Sequence, residues 1–311
     1  MPSPLSSTKE VCAYLISYIL SIRAMSMSYF RRILIWMGMI TLLSLSSTSV
    51  HALKLDPVLH GLCDPCNQGW PQPKTAVFES LSRTYGIAMA PTILAPANTI
   101  GINAFEIDFS YSMTMLTDDP NQWKDAIISQ TAPDQLMTTH FGVRKGLPFS
   151  FELDGQLGYM LESELWTLGG GLKWSYHEAV AAFPIDFTVH GGGNRLVGSD
   201  QLDLSTFQLD FAVGTQFGLG NLLNIAPYVS YSPLWIFWGS STLDATPGLY
   251  DVNSANGGVG TSTAFVFKRG DTLINRVGAG IRFLFGVLKV NPEFVWSSHQ
   301  YSINLGIGLH L

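Results

Sequence analysis

The last eleven residues place the tightest constraint on the fold. Apolar side chains occupy every second position from Tyr301 to Leu311, and small or polar residues alternate with them. Because successive side chains of a strand point to opposite faces, this pattern predicts a strand with one uniformly apolar face. A strand of this kind at the end of a chain is typical of a membrane-spanning barrel, in which the apolar face contacts lipid.

The same alternation recurs from Asn103 onward. In 103–113, Phe105, Ile107 and Phe109 alternate with polar residues such as Glu106. The segments that predict strands are 103–113, 136–146, 149–159, 165–176, 183–195, 204–217, 224–237, 272–285, 288–297 and 300–311. We therefore expect about ten strands, within a range of 8–12, since 262–268 is also strand-like.

The links between these segments alternate in length. Every second link is short, as at 286–287, whereas 114–135 and 238–271 are long. Short periplasmic turns that alternate with longer external loops are typical of bacterial barrels. The sequence thus predicts an all-β fold: a transmembrane antiparallel up-and-down β-barrel over 102–311.

The overall composition agrees with a membrane barrel. Of the 311 residues 47% are hydrophobic and only 13% charged, about half the charged share of roughly 25% in soluble domains. Beyond the N-terminal region no run of about 18 uncharged apolar residues occurs, which disfavours helical membrane proteins. The net charge of -6 argues against nucleic acid as a partner, since binding to phosphates needs a basic surface.

Residues 1–52 predict an N-terminal extension followed by a Sec-type signal peptide. From Met25 the chain has a positive region at Arg31 and Arg32, an apolar region over 33–45, and small residues up to Ala52. This order is that of an export signal cleaved after Ala52; an uncleaved membrane anchor is the alternative. Export places the protein in the bacterial outer membrane, and Met25 or Met27 could be the true start.

Residues 53–101 differ from the barrel. They contain six prolines and one predicted helix, about Thr75 to Ala88. Proline is excluded from central strands, so this part predicts a periplasmic extension or a plug inside the barrel. Its Cys63 and Cys66 predict a small disulfide loop in an exported protein. His60 alone does not complete a metal site.

When the alternation is extended along every predicted strand, eleven charged residues fall on the lumen side. The predicted lumen-lining residues are Glu106, Asp108, Arg144, Glu152, Asp154, Lys173, Asp186, Asp210, Arg276, Arg282 and Glu293. They could form ion pairs that fill a narrow barrel, or line a solute path whose acidic excess favours cations. Aromatic residues near the strand ends predict interfacial girdles; these are Trp166, Trp174, Tyr231, Trp235, Phe237, Trp238 and Trp296.

No enzyme signature emerges. The sequence has no G-x-S-x-G nucleophile motif, and Ser175 and His177 are the nearest approach to a serine–histidine pair. His140, His190 and His310 fall on inward positions, where wall residues are more common than catalysts. The glycine triplets at 169–171 and 191–193 lack the lysine and helix of a phosphate loop. We expect no enzymatic activity and no cofactor.

Two segments of the chain resemble parts of known outer-membrane proteins. The final strand resembles that of outer-membrane β-barrel proteins, where it is the recognition signal for the barrel assembly machinery; their usual last residue is Phe or Trp, whereas this chain ends in Leu311. Residues 84–113 resemble the entry to the barrel in long-chain fatty-acid transporter-type proteins, with Ala104 and Phe105 in a "GxxAF" first strand. The second resemblance implies transport of hydrophobic solutes and covers about a tenth of the chain.

The sequence favours passive transport of small molecules, hydrophobic ones among them, across the outer membrane. Residues 53–101 would act as plug or gate, and the surrounding partner would be outer-membrane lipid. The alternative is a closed structural or surface-interaction barrel whose loops 114–135 and 238–271 contact partners. A lipid-modifying outer-membrane enzyme is a remote third option.

Overall fold

The computed structural model describes residues 53–64, 72–91, 97, 99–117, 122–176, 185–219, 223–244 and 264–311. Residues 52–311 form one compact unit. The predicted signal peptide, Cys66 and His177 lie outside the described residues.

Ten antiparallel strands form a closed barrel. They are β1 Phe105–Leu116, β2 Gln135–Gly146, β3 Phe151–Met160, β4 Trp166–Tyr176, β5 Asp186–Val197, β6 Leu202–Gly214, β7 Leu223–Ser240, β8 Gly270–Phe285, β9 Leu288–Ser297 and β10 Gln300–His310. Each strand pairs with the next along the chain, and β10 pairs with β1 so that His310 lies opposite Glu106. The predicted up-and-down barrel of ten strands is confirmed.

The two ends of the barrel differ in the length of their links. We call the end with links 117–134, 161–165, 198–201, 241–269 and 298–299 the loop end, and the end with links 147–150, 177–185, 215–222 and 286–287 the turn end. Two short strands, Leu243–Asp244 and Ala264–Phe265, pair with each other within the longest loop-end link. At the turn end, Phe217–Leu219 pairs with the start of β7.

Side chains of each strand alternate between the lumen and the outside. In β1, Glu106 and Asp108 are buried inside, whereas Phe109 is 53% exposed on the outer face. In β10 the outward Ile303, Leu305, Ile307 and Leu309 are each nearly half exposed. An outer face this apolar is stable only against hydrocarbon, which makes the fold that of a transmembrane barrel.

Most of the predicted girdle aromatics lie on the outer face. Tyr159 packs on Trp166 with ring centroids 4.5 Å apart, and Phe207 packs on Trp235 at 5.7 Å. Trp238 is the exception, because it shares its strand parity with Leu234 and Ile236 and is only 8% exposed in the interior. The prediction that Trp238 belongs to a girdle is therefore wrong.

One helix, α1 (Thr75–Ala88), has the bounds that the sequence predicts. It packs against the inner wall near the loop end, where a Cβ on Gly86 would lie 3.1 Å from Cγ1 of Ile236. Glycine at this position lets the helix backbone approach the wall closely. A single turn of 3-10 helix, Lys124–Ala126, lies in the link between β1 and β2. Among the described residues no helix is long and apolar enough to cross a membrane.

The interior of the barrel has two chemically different halves. Towards the loop end, α1 and the wall form an apolar core in which Phe78, Leu81, Leu136 and Leu234 are fully buried. Towards the turn end, the inward positions carry charged and polar side chains. The apolar half results from inward leucine, isoleucine and methionine residues near the loop end of several strands, which leave little room for water.

The outer face gives a direct test of membrane embedding. We expect Leu305→Arg, in the middle of β10, to lower the free energy of unfolding in lipid vesicles by about 2–4 kcal/mol, because the charge would face the hydrocarbon core. Urea unfolding followed by tryptophan fluorescence measures the change, with Leu305→Ala as the control for lost side-chain volume. Equal losses for the two variants would contradict a lipid-facing position.

Candidate functional site

A layer of ion pairs fills the turn-end half of the lumen, and Glu106 lies at its centre. Its carboxylate is 2.8 Å from Nζ of Lys289, 3.6 Å from Arg144, 3.9 Å from Arg282 and 2.9 Å from Nδ1 of His310. The side chain of Glu106 is fully buried. Four partners from β2, β8, β9 and β10 therefore compensate one carboxylate on β1.

Asp108 continues the layer one step further from the turn end. It contacts Arg144 at 3.2 Å and also Lys289. Gly308 on the neighbouring β10 makes room for it, since a Cβ there would overlap the Asp108 carboxylate. Small residues beside large ones are the usual way in which a small barrel fills its interior.

Glu152 on β3 joins the wall to the segment that lies inside the barrel. Its carboxylate is 3.2 Å from Nζ of Lys173 on β4 and accepts a 2.6 Å hydrogen bond from the backbone N–H of Ile100. The side chains of both Glu152 and Lys173 are almost completely buried. An ionised acceptor strengthens the hydrogen bond that holds Ile100.

His190 lies between two carboxylates. Its Nε2 is 2.9 Å from Asp154 and its Nδ1 is 2.7 Å from Asp210. The protonated imidazolium is the form that gives both contacts a donor. Gly171 is required beside it, because a Cβ at this position would overlap the His190 ring and the Asp154 carboxylate.

Asp210 and Glu293 carry the network around the remaining wall. Asp210 accepts hydrogen bonds from Gln208 at 2.8 Å and from Ser232. Arg276 donates to Gln208 at 2.5 Å and to Ser232 at 3.0 Å. Glu293 accepts from Tyr228 at 3.2 Å and from Asn304 at 3.1 Å.

The structure brings most of the predicted lumen residues into this layer. All eleven have inward positions; Asp186 lies at the turn end of β5 and is 6% exposed. Sequence reasoning missed Lys289 and Tyr228, although the alternation that selects Glu293 on β9 also selects Lys289. The sequence did carry a signal for both: the alternation places Tyr228 of β7 and Lys289 of β9 on the inward face.

The described residues of 53–101 include contacts at the loop end, along the lumen wall and at the turn end. Their backbone carbonyls accept hydrogen bonds from wall side chains: Gln300 donates to Thr84, Thr138 to Ala88, Asn194 to Met89 and Thr188 to Ala97. The Asn194 bond is 2.6 Å long. We call the described part of 53–101 the plug segment.

The helix of the plug segment is anchored at the loop end. The Tyr85 hydroxyl is buried and donates a 2.6 Å hydrogen bond to the carbonyl of Leu55. Burial, with a smaller effect of the nearby Asp56 carboxylate, raises the pKa of Tyr85. Phe78 stacks on Phe267 with ring centroids 4.3 Å apart.

A polar cavity remains beside the plug segment in the turn-end half. Its volume is about 60 Å³, which is room for a few water molecules. Both signs of charge line it, including Arg144, Asp154, Lys173 and His190. Inward Gly142 contributes to this space, because it presents no side chain to the lumen.

The remaining predicted site residues have simpler roles. Cys63 is buried and disulfide-bonded; because Cys66 lies outside the described residues, their pairing stays a prediction. The Ser175 hydroxyl pairs with that of Thr188 at 2.8 Å. Within the described ranges no group of three or more His, Cys, Asp or Glu side chains is arranged to hold a metal ion.

The barrel is similar to several solved barrel structures. Ail, the attachment invasion locus protein of Yersinia pestis, matches 68% of this chain over its full length with 10% identity and a TM-score of 0.27. The N-terminal β-barrel domain of Pseudomonas aeruginosa OprF matches 68% of this chain and 99% of its own length, with 14% identity and a TM-score of 0.27. The KdgM porin matches 66% and 98%, with 10% identity and a TM-score of 0.29.

At these TM-scores and identities the likeness says nothing about what the chain transports or binds. No protein-family model matches the sequence, and no curated protein sequence matches it either.

The ion-pair layer predicts that breaking a buried ion pair lowers the stability of the barrel far more than breaking an exposed one. We expect Lys289→Met to destabilise the barrel by about 3–5 kcal/mol, because it leaves Glu106 and Asp108 buried with one cation fewer. Arg195→Met breaks an exposed pair with Asp203, 3.2 Å apart, and should change stability by only about 0–1 kcal/mol. Urea unfolding in vesicles measures both; a Lys289 effect no larger than that of Arg195 would refute the assignment.

Proposed function

We propose that this protein is an outer-membrane barrel for passive transport of small molecules, with the plug segment as its gate. One observation carries the proposal: wall side chains hold the described part of the chain's own N-terminal segment inside the lumen, and a cavity of about 60 Å³ lies in the turn-end half. A barrel whose wall alone filled the interior would have neither feature. The structure then represents the closed form.

The outer face supports a place in the outer membrane. Its exposed residues are apolar over the length of the strands, and the charged pair Arg195–Asp203 lies near the loop end of β5 and β6. A charge near the membrane interface costs far less than one at the midplane. The surrounding partner is outer-membrane lipid, and the apolar final strand suits insertion by the barrel assembly machinery.

The contacts of the plug segment suit a movable gate. At Thr84, Ala88, Met89 and Ala97 the wall holds it through single side-chain bonds to backbone carbonyls. Water can replace such bonds at little cost in free energy when a lumen fills with solvent. The wall strands are held by continuous ladders and would stay in place.

The two halves of the lumen indicate an amphipathic solute. The loop-end half presents leucine, isoleucine and methionine side chains, whereas the turn-end half presents compensated charges. The cavity of about 60 Å³ holds only a few water molecules, so a solute can pass only when the plug segment moves. A small molecule with an apolar part fits both environments, in agreement with the predicted preference for hydrophobic solutes.

A closed structural barrel is the second candidate, and one observation favours it. Phe78, Leu81 and Tyr85 of α1 are fully buried in the apolar core at the loop end. Exposing such residues to water costs about 1.5–3 kcal/mol each. If this packing never breaks, the barrel carries no solute and its surface loops carry the function.

Locking the helix to the wall tests the gate. The side chain of Ile236 provides the three nearest atoms to a Cβ at residue 86, so Gly86→Cys and Ile236→Cys is the pair to test for a disulfide between helix and wall. We expect the oxidised variant to lose the conductance of the wild type in planar bilayers and to regain it on reduction. Each single cysteine variant, and the wild type treated with the same reductant, are the controls.

Loosening the helix should have the opposite effect. Gly86→Val places a branched side chain against Ile236 and should raise the open probability. Gly61→Val is the matched control, since a Cβ there meets nothing within 4 Å. If neither the wild type nor Gly86→Val conducts while both remain folded barrels, the closed structural barrel is the better assignment.

A further inference from the structure

The plug segment begins at the loop end of the barrel. Residues 54–58 pair with the link between β1 and β2, where Val58 donates to Ala126 at 2.7 Å and Ser129 donates to Lys54 at 3.1 Å. Leu55 donates to Glu162 in the link between β3 and β4. Leu59 donates to Gln201, in the link between β5 and β6, at 2.7 Å. Three separate loop-end links therefore hold this part of the chain.

The same segment leaves the lumen at the turn end. Ile100 is bound by Glu152 at the start of β3. Ala104 accepts a hydrogen bond from Gly146, the last residue of β2, and Phe105 donates to Leu311. Between these ends the wall contacts follow in order of depth, from Gln300 at the rim through Asn194 to Thr188 near the turn end.

The orientation of the barrel follows from its links. In outer-membrane barrels the short turns face the periplasm and the longer loops face the exterior. Here the two longest links, 117–134 and 241–269, are both at the loop end, whereas the turn end includes 147–150 and 286–287. The loop end is thus the exterior side.

We propose that residues 53–64 lie on the cell exterior and that the chain enters its own barrel from outside. The plug segment then passes inward through the lumen once before β1 begins at the periplasmic side. The inference rests on the proposed outer-membrane location. It identifies the side from which the gate is reached: the helix end of the plug segment faces the exterior, and its Ile100 end faces the periplasm.

This topology has a chemical consequence for gating. A molecule outside the cell meets Lys54, Glu162 and the start of α1, and can loosen the plug segment from that side. At the periplasmic side the plug segment is held instead by the hydrogen bond from Ile100 to Glu152. The buried Lys173 pairs with this carboxylate. The two ends of the gate are held by different chemistry, so that exterior and periplasmic ligands act on different contacts.

Cysteine labelling of whole cells distinguishes the two sides. Lys54→Cys and Ile102→Cys place thiols at opposite ends of the same segment, where the side chains are 73% and 61% exposed. Glu162→Cys in the link between β3 and β4 is the exterior reference, and Phe149→Cys, at a position 84% exposed, is the turn-end reference. A membrane-impermeant maleimide is applied before or after permeabilisation of the outer membrane, with the wild type reporting labelling of native cysteines.

We expect Lys54→Cys and Glu162→Cys to react fully on intact cells, with no gain after permeabilisation. Ile102→Cys and Phe149→Cys should react only after permeabilisation. Labelling of Lys54→Cys only after permeabilisation, while Glu162→Cys reacts before it, overturns the proposal. If Phe149→Cys reacts on intact cells and Glu162→Cys reacts only after permeabilisation, the assigned orientation of the barrel is overturned. Heat-dependent gel mobility confirms that each variant is folded, and conductance is measured separately, so a failed gate and a failed topology are distinguishable.

Discussion

Backbone hydrogen bonding in hydrocarbon determines the rest of this structure. A strand edge that faced lipid would leave N–H and C=O groups without partners, so the sheet must close on itself. The pairing of β10 with β1, from Leu309 opposite Ile107 to Gln300 opposite Leu116, provides this closure. Once the ladder is closed, alternation alone decides which side chains face lipid and which face the lumen.

Closure also explains the crowded charges of the interior. Charged residues on the strands must point inwards or lie near the ends, and here the inward groups compensate each other. Among the described strand residues, seven inward carboxylates are matched by five lysine and arginine side chains and by two histidines, His190 and His310, that lie against carboxylates. A layer this balanced stabilises the wall without offering a free charge to a solute. In the proposed transport function, selectivity therefore depends on the space that opens beside the plug segment.

Much of the barrel could be predicted because a period of two is a strong signal where one face contacts lipid. The approximate positions of the ten strands, the helix Thr75–Ala88 and the inward parity of Arg144 and Lys173 all follow from local patterns, whereas the strand ends differ from the predicted ones by up to three residues. Lys289 was equally accessible by parity. Trp238 was misplaced because the predicted strand ends at residue 237, whereas β7 continues to Ser240 and keeps Trp238 on the parity of Ile236.

The course of the plug segment could not be predicted in this way. It is held by single hydrogen bonds from Gln300, Thr138 and Asn194 to backbone carbonyls. Any residue type provides such a carbonyl, so these contacts leave no mark on the sequence of 84–97. The sequence thus left open whether 53–101 lies beside the barrel or inside it.

The glycine at position 86 has a consequence for how the molecule is made. Helix and wall approach so closely there that a side chain on the helix would collide with Ile236. Inserting so tightly fitted a helix into a ring that has already joined its first and last strands would require this contact to open. Docking of the inner segment on a sheet that is still open would avoid this obstacle, and the seam between β1 and β10 would then close last, around the helix.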